Sequence, residues 1–191
     1  MYSGLYTHLQ NNEIEKTKWK LSAKDVALVG MMVAVIEVCK VVLMGIPNVE
    51  LTTFWIIMFS LYFGSRVFFV VPVFILIEGM LFGFGLWWVM YLYVWPLLAI
   101  ITRIMHKMDS MVGWCILAGV YGLLYGLFCS LPYVAIGAAD GGLMAGVQSG
   151  FAWFVSGIPF DIIHGISNFL IMLILYRPVR TVMEKTKSFV D

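Results

Sequence analysis

Long apolar segments separated by short polar turns make up most of the sequence. These segments lie at about 26–44, 51–64, 67–82, 86–105, 112–131 and 151–176. Several of them approach the roughly 20 apolar residues that a helix needs to cross about 30 Å of hydrocarbon. The pattern predicts six membrane-spanning helices. The second, at 51–64, is short for a perpendicular crossing.

This pattern divides the chain into an N-terminal segment at 1–25, a membrane domain at 26–176 and a C-terminal tail at 177–191. The polar residues between Thr7 and Lys20 argue against a cleavable secretory signal. With 62% hydrophobic residues, 12% charged residues and a mean hydropathy of +0.94, the chain is too apolar for a soluble domain. The predicted fold class is an all-α integral membrane protein with a six-transmembrane-helix bundle.

Basic residues predict the orientation of this bundle. Eleven of the twelve Lys and Arg residues fall on one side of six crossings, and only Lys40 does not. The positive-inside tendency assigns that side, with both termini, to the cytoplasm. The opposite connectors, at 45–50, 83–85 and 132–150, contain no Lys or Arg. The last is rich in glycine and is expected to be a long connector, either a lid over a site or an inert surface loop.

Five ionisable residues inside the predicted spans are candidates for function. They are Glu37 and Lys40 in the first span, Glu78 in the third, and Asp161 and His164 in the sixth. A charge at membrane depth is costly unless it faces a cavity or a partner. Glu37 and Lys40 are three residues apart and could pair on one helical face. In the predicted orientation all five lie at or beyond the middle of the membrane towards its outer surface, which favours a pocket reached from outside.

The sixth span carries three polar side chains on one helical face. At 100° per residue, Asp161 and Asn168 differ by about 20°, and His164 lies within about 60° of Asp161. Gly157 and Gly165 fall close to the same stripe. These polar groups either hydrogen-bond to neighbouring helices or line a binding site.

An aromatic window, FGFGLWWVMYLYVWP at 82–96, lies at the predicted outer boundary of the membrane. It includes Trp87, Trp88 and Tyr91. Aromatic residues at this depth either form an interfacial belt or provide stacking surfaces for a flat molecule with polar edges.

The sequence contains no pattern typical of an enzyme. There is no G-x-S-x-G, no H-E-x-x-H and no phosphate-binding G-x-x-x-x-G-K-[ST]. The cysteines Cys39, Cys115 and Cys129 are isolated in apolar segments, without metal-ligand spacing. We therefore expect no catalytic residues, no metal and no cofactor in this chain. The absence of a basic polar segment argues against nucleic acid as a partner.

Small residues form two stripes that permit close helix contacts. Ala23, Ala27, Gly30 and Ala34 share a face of the first span, and Gly122-x-x-x-Gly126 lies in the fifth. Either stripe could dock a partner subunit or pack helices within the bundle. For the fifth span, internal packing is the favoured interpretation.

The chain resembles the substrate-binding S components of energy-coupling factor (ECF) vitamin transporters over most of its length. The resemblance rests on Gly30-x-x-x-Ala34, IPNVEL at Ile46–Leu51, EGMLFGFGLWWVMYLYVWPL at Glu78–Leu97, and GIPFDIIHGISNF at Gly157–Phe169. Gly30 stands where the family has alanine, a change that still allows close approach.

This resemblance implies a multi-pass protein of a prokaryotic plasma membrane that captures a vitamin at its outer face. The ligand would be cobalamin-like or another ring-shaped vitamin. Delivery would require docking through Gly30 and Ala34 on a transmembrane coupling protein, driven by two subunits that hydrolyse ATP. The substrate site implied by the resemblance and by the polar pattern comprises Glu50, Glu78, Trp87, Trp88, Tyr91, Asp161, His164 and Asn168, beneath the 132–150 connector.

Two other functions are compatible with the sequence. One is a proton- or ion-coupled carrier that works alone, with Glu37, Glu78, Asp161 and His164 as a relay. The other is a structural membrane protein without a small ligand.

Overall fold

The structure, a computed structural model, describes residues 22–190, with side chains as far as Lys187. The predicted cytoplasmic residues Lys16, Lys18 and Lys20, the rest of segment 1–21, and Asp191 lie outside the described residues. Residues 22–190 form helices joined by short connectors and contain no strand. The helices are α1 (Ala23–Leu43), α2 (Thr52–Phe63), a short 3-10 helix (Gly64–Arg66), α3 (Val67–Phe82), α4 (Leu86–Ile104), α5 (Met111–Leu123), α6 (Tyr125–Cys129) and α7 (Leu131–Val190).

Local signals account for several helix ends. Ser22 begins α1 with a capping box, in which its hydroxyl accepts from the Asp25 N–H at 3.1 Å and the Asp25 carboxylate accepts from the Ser22 N–H at 2.9 Å. Gly64 and Gly83, with φ of 63° and 88°, follow α2 and α3 in conformations that side chains rarely adopt. The predicted segment at 67–82 coincides with α3.

Four helical stretches among the described residues are long and apolar enough to cross a membrane. They are Ala23–Leu43, Thr52–Phe82, Leu86–Ile104 and Tyr125–Lys187, and the apolar helix Met111–Leu123 is shorter. Large apolar side chains such as Val42, Ile104 and Ile174 are 67–74% exposed on the outside of the helices. Such a surface is unfavourable in water and favourable in lipid. The architecture is that of an all-α membrane protein.

The short helix α2 lies at the centre of the packing. Nine of its twelve residues are buried, and Ile56, Ile57 and Met58 are fully inaccessible. It packs against α1, α3, α4 and α7. Its twelve residues are short for a perpendicular crossing, as the sequence indicated.

The prediction of a long irregular connector at 132–150 is wrong. This segment belongs to α7, and only Gly141 and Gly142 depart from helical geometry, with Gly142 at φ 82°. These two residues form the turn of a helical hairpin. Its two helical legs pack closely: a Cβ added at Gly146 would clash with the carbonyl oxygen of Val134. Of the glycines that suggested a loop, Gly141 and Gly142 form the turn, and Gly146 and Gly150 lie in the contact face of the two helices.

The two small-residue stripes have different environments. In α5, Gly122 lies against the backbone of Gly165, so this stripe packs α5 against α7, as favoured from the sequence. A side chain at Gly30 would have no neighbour within 4 Å, and Ala34 is exposed. The α1 stripe is therefore not used for packing among residues 22–190.

Candidate binding site

Lys40 of α1 lies in an aromatic and acidic environment between three helices. Its ammonium group forms an ion pair with Glu78 of α3 and donates to the hydroxyl of Tyr91 of α4 at 3.2 Å. The nitrogen lies 4.9 Å from the ring centroid of Tyr91 and 5.7 Å from those of Phe74 and Phe82. Ring faces at these distances attract a cation, so Lys40 is held by both charge and π-electron density.

The sequence allowed Glu37 to pair with Lys40 on one helical face, but Lys40 forms its ion pair with Glu78 from another helix. Neither carboxylate oxygen of Glu37 has a hydrogen-bond partner, and Oε1 of Glu78 has none either. Both acids interact electrostatically with each other, and Lys40 interacts with both. The group therefore contains two carboxyl groups for one ammonium.

Glu50 lies in the connector between α1 and α2 and ties the start of α2 to α7. Its carboxylate accepts from the N–H of Thr53 at 3.0 Å, and its Oε1 lies 3.1 Å from Nε2 of His164. Burial acts to raise the pKa of Glu50, but the hydrogen bond and charge of His164, with the hydrogen bonds from Thr53, lower it to about 2. Glu50 therefore carries a negative charge at neutral pH.

Asp161 of α7 caps the short helix α6. Its Oδ1 accepts from the N–H of Gly126 at 3.0 Å, one of the amides left without an intrahelical partner at the start of α6. Its Oδ2 is buried and has no partner. A side chain on Gly126 would clash with the carboxylate, so only glycine lets Asp161 approach this closely.

Three adjoining cavities lie at the predicted outer end of the bundle, where α1 leads to α2 and α3 leads to α4. The largest, about 530 Å³, is lined by Trp87, Met90, Tyr91, Tyr125, Gly126, Cys129, Trp153, Ser156, Gly157, Phe160 and Asp161. A second, about 210 Å³, is lined by Lys40, Asn48, Glu50, Thr52, Tyr91, Trp95, Tyr125 and His164. A third, about 260 Å³, is lined by Lys40, Met44, Glu78, Phe82 and Trp87. Shared walls make these cavities one composite region, which we call the outer cavity.

Six of the eight predicted site residues line the outer cavity: Glu50, Glu78, Trp87, Tyr91, Asp161 and His164. Trp88 and Asn168 do not line it. Trp88 donates through Nε1 to the carbonyl of Ile75 at 2.8 Å, and Asn168 donates to Oγ1 of Thr53 at 3.2 Å. Asn168 therefore connects α7 to α2, one of the two alternatives that the sequence left open for the sixth span. Trp88 connects α4 to α3, a role that the sequence did not predict.

Sequence reasoning did not identify Tyr125, Trp153 and Phe160 as cavity residues. Trp153 and Gly157 precede Asp161 by eight and four residues and so share its helical face, a signal that could have identified Trp153. The ring of Trp153 stacks on that of Tyr133, 4.0 Å between centroids, which ties the hairpin to the cavity wall.

Residues 22–190 contain no group of three or more His, Cys, Asp or Glu side chains that could hold a metal ion. The chain matches no protein-family model, and neither a curated protein nor a solved structure is significantly similar to it. The arguments for function therefore come from the chemistry of the outer cavity.

Proposed function

We propose that the protein is the membrane substrate-capture subunit of an ECF-type ABC importer and binds a vitamin or related micronutrient. The observation that carries this proposal is the 530 Å³ cavity, walled by aromatic rings around Asp161. Its size falls in the range of small-molecule sites, and such sites combine apolar walls with few convergent polar groups. Aromatic faces would stack on a ring, and the polar groups would orient it.

The proposed topology has six crossings and both termini in the cytoplasm of a prokaryote. It is supported by the basic residues at the end of the bundle opposite to the outer cavity. There Arg66 pairs with Asp25 at 2.7 Å, and Arg103 donates to the carbonyl of Ser60 at 3.2 Å. Basic side chains are typical of the cytoplasmic face, so the cavity would open to the outside.

Delivery would follow docking on a transmembrane coupling protein that is driven by two ATPase subunits. The support is the exposed face of α1 at Gly30 and Ala34, where another helix could approach closely. Replacing both residues with leucine should abolish ATP-driven uptake and leave ligand binding unchanged. Loss of binding in this variant would contradict the separation of capture from docking.

A binding screen tests the capture role. Purified protein is titrated with vitamins and their precursors while tryptophan fluorescence is recorded, because Trp87 and Trp153 line the cavity. We expect saturable quenching by one member of the panel. The Trp87→Leu variant should lose this binding, whereas Trp19→Leu, in the N-terminal segment, serves as the matched control. Equal binding by both variants would contradict the assignment of the cavity.

A proton- or ion-coupled carrier is the second candidate, and the buried, unpartnered carboxylate oxygens of Glu37, Glu78 and Asp161 favour it. This carrier would act without partner subunits. Vesicles containing only the purified chain would then accumulate substrate under a pH gradient without ATP. Uptake that requires the ATPase subunits would exclude this mechanism and support the capture role.

A further inference from the structure

The walls of the 530 Å³ cavity combine five aromatic side chains with one acid. The aromatic residues are Trp87, Tyr91, Tyr125, Trp153 and Phe160, and the acid is Asp161. No Lys, Arg or His occurs among the described residues that line this cavity. Aromatic faces carry negative electrostatic potential, so walls and acid share the same sign.

Asp161 lacks a partner that its environment requires. The residue is 7% exposed, and only one of its two carboxylate oxygens accepts a hydrogen bond. A buried carboxylate with an unsatisfied oxygen is unfavourable, and the cost is removed by a donor or a positive charge. Gly157, which also lines the cavity, adds no side chain beside this oxygen; a Cβ added there would lie 3.8 Å from Oδ2.

The neighbouring basic side chains are already engaged. Lys40 pairs with Glu78, and Nε2 of His164 lies against Glu50, 3.1 Å from its carboxylate. Glu37 adds a further acid beside Lys40. The outer cavity therefore has more acidic than basic groups, and a ligand of opposite charge complements it.

We propose that the outer cavity selects an organic cation, a flat ring system with a fixed positive charge or a protonated nitrogen, and that Asp161 is its counter-ion. This inference rests on the proposed capture function and specifies its substrate class. The ring would lie against the aromatic walls, and its positive group would approach Asp161. Neutral and anionic rings of the same shape would lack the charge interaction and bind more weakly.

Ligand probes that differ in charge and share one ring test this proposal. At pH 7.5, 1-methylnicotinamide is a cation, nicotinamide is neutral and nicotinate is an anion; 1-methylquinolinium and quinoline extend the comparison to two rings. We expect each cation to bind the purified chain about tenfold more tightly than its neutral analogue, with the anion weakest. Tryptophan fluorescence and isothermal titration calorimetry measure the affinities.

Variants separate the role of Asp161 from a general effect of charge. Asp161→Asn should weaken binding of the cations about tenfold and leave the neutral probes unchanged. Asp140→Asn removes the same charge at the exposed tip of the hairpin and should change neither. If Asp161→Asn fails to fold, Trp153→Leu provides the second test, because loss of this ring should weaken the cations more than the neutral probes.

The proposal is overturned if the neutral or anionic probes bind as tightly as the cations, or if no cation binds at millimolar concentration. Its failure differs from failure of the capture function. A neutral or anionic vitamin that binds one per chain and requires Trp87 would preserve the capture role and exclude cation selection. Absence of binding by any vitamin or probe would exclude both.

Discussion

Replacing Lys40 with methionine tests the charge arrangement that organises the outer cavity. Methionine keeps the length of the apolar stem and removes the ammonium group. Glu78 is inaccessible to solvent, so it would lose the cation with which it pairs, and Glu37 would remain nearby without a hydrogen-bond partner. Removing one partner of a buried ion pair typically costs about 3–5 kcal/mol of unfolding free energy. We expect a loss in this range for Lys40→Met.

The reverse replacement should be less harmful. In Glu78→Gln, Lys40 keeps its contacts with Tyr91 and the aromatic rings, and Glu37 lies one turn away on the same helix. We therefore expect a loss of about 1.5–3 kcal/mol, typical of a hydrogen bond to a charged group. Adding Glu78→Gln to Lys40→Met should recover part of the larger loss, since no buried carboxylate then remains at position 78.

Unfolding in mixed detergent micelles, followed by tryptophan fluorescence, measures these differences. Lys24→Met is the matched control, because Lys24 is exposed near the start of α1 and its replacement should change stability by less than about 0.5 kcal/mol. The reasoning is refuted if Lys40→Met behaves like this control, or if adding Glu78→Gln destabilises the protein further.

Three further predictions concern packing, binding and pH. Gly122→Leu should destabilise the protein by several kcal/mol, because its Cβ would lie 2.8 Å from the α7 backbone. Gly30→Leu should leave stability unchanged, because nothing lies within 4 Å of a Cβ at this position. Thermal unfolding of the two variants tests this difference. Trp88→Phe should lower the free energy of unfolding by about 1 kcal/mol through loss of its hydrogen bond, and should leave ligand affinity unchanged. Trp87→Phe should weaken ligand binding, because Trp87 lines the cavity. Thermal unfolding and ligand titration of both variants test this contrast. Folding lowers the pKa of Glu50 from 4.5 to about 2, so the stabilisation by its carboxylate should be present above pH 4.5 and lost as pH falls towards 2. The unfolding free energy of Glu50→Gln should lack this part of the acid dependence. A pH profile identical to that of the wild type would contradict the prediction.

Helix positions could be predicted because long apolar runs leave few alternatives in lipid. The segment 67–82 has no internal polar interruption before Glu78 and coincides with α3. The hairpin could not be predicted in the same way. Its glycines have low helix propensity, and contacts between the two legs, such as Gly146 against Val134, stabilise the helical state.

The candidate site was predictable only as far as helical periodicity determines it. The 100° rotation per residue assigned Asp161, His164 and Asn168 to one face, and all three are buried there. Periodicity does not give depth within the bundle. Asn168 lies about 10 Å along the helix from Asp161, beyond the cavity and beside Thr53. The pairing of Lys40 was missed because a tertiary neighbour, Glu78, replaced the sequence neighbour Glu37.

Native mass spectrometry of the gently purified protein is the most direct test of substrate capture. The account predicts one small molecule bound per chain, retained by the wild type and lost from both Trp87→Leu and Asp161→Asn. A protein that carries no small molecule and acquires none from a panel of vitamins and organic cations would contradict it.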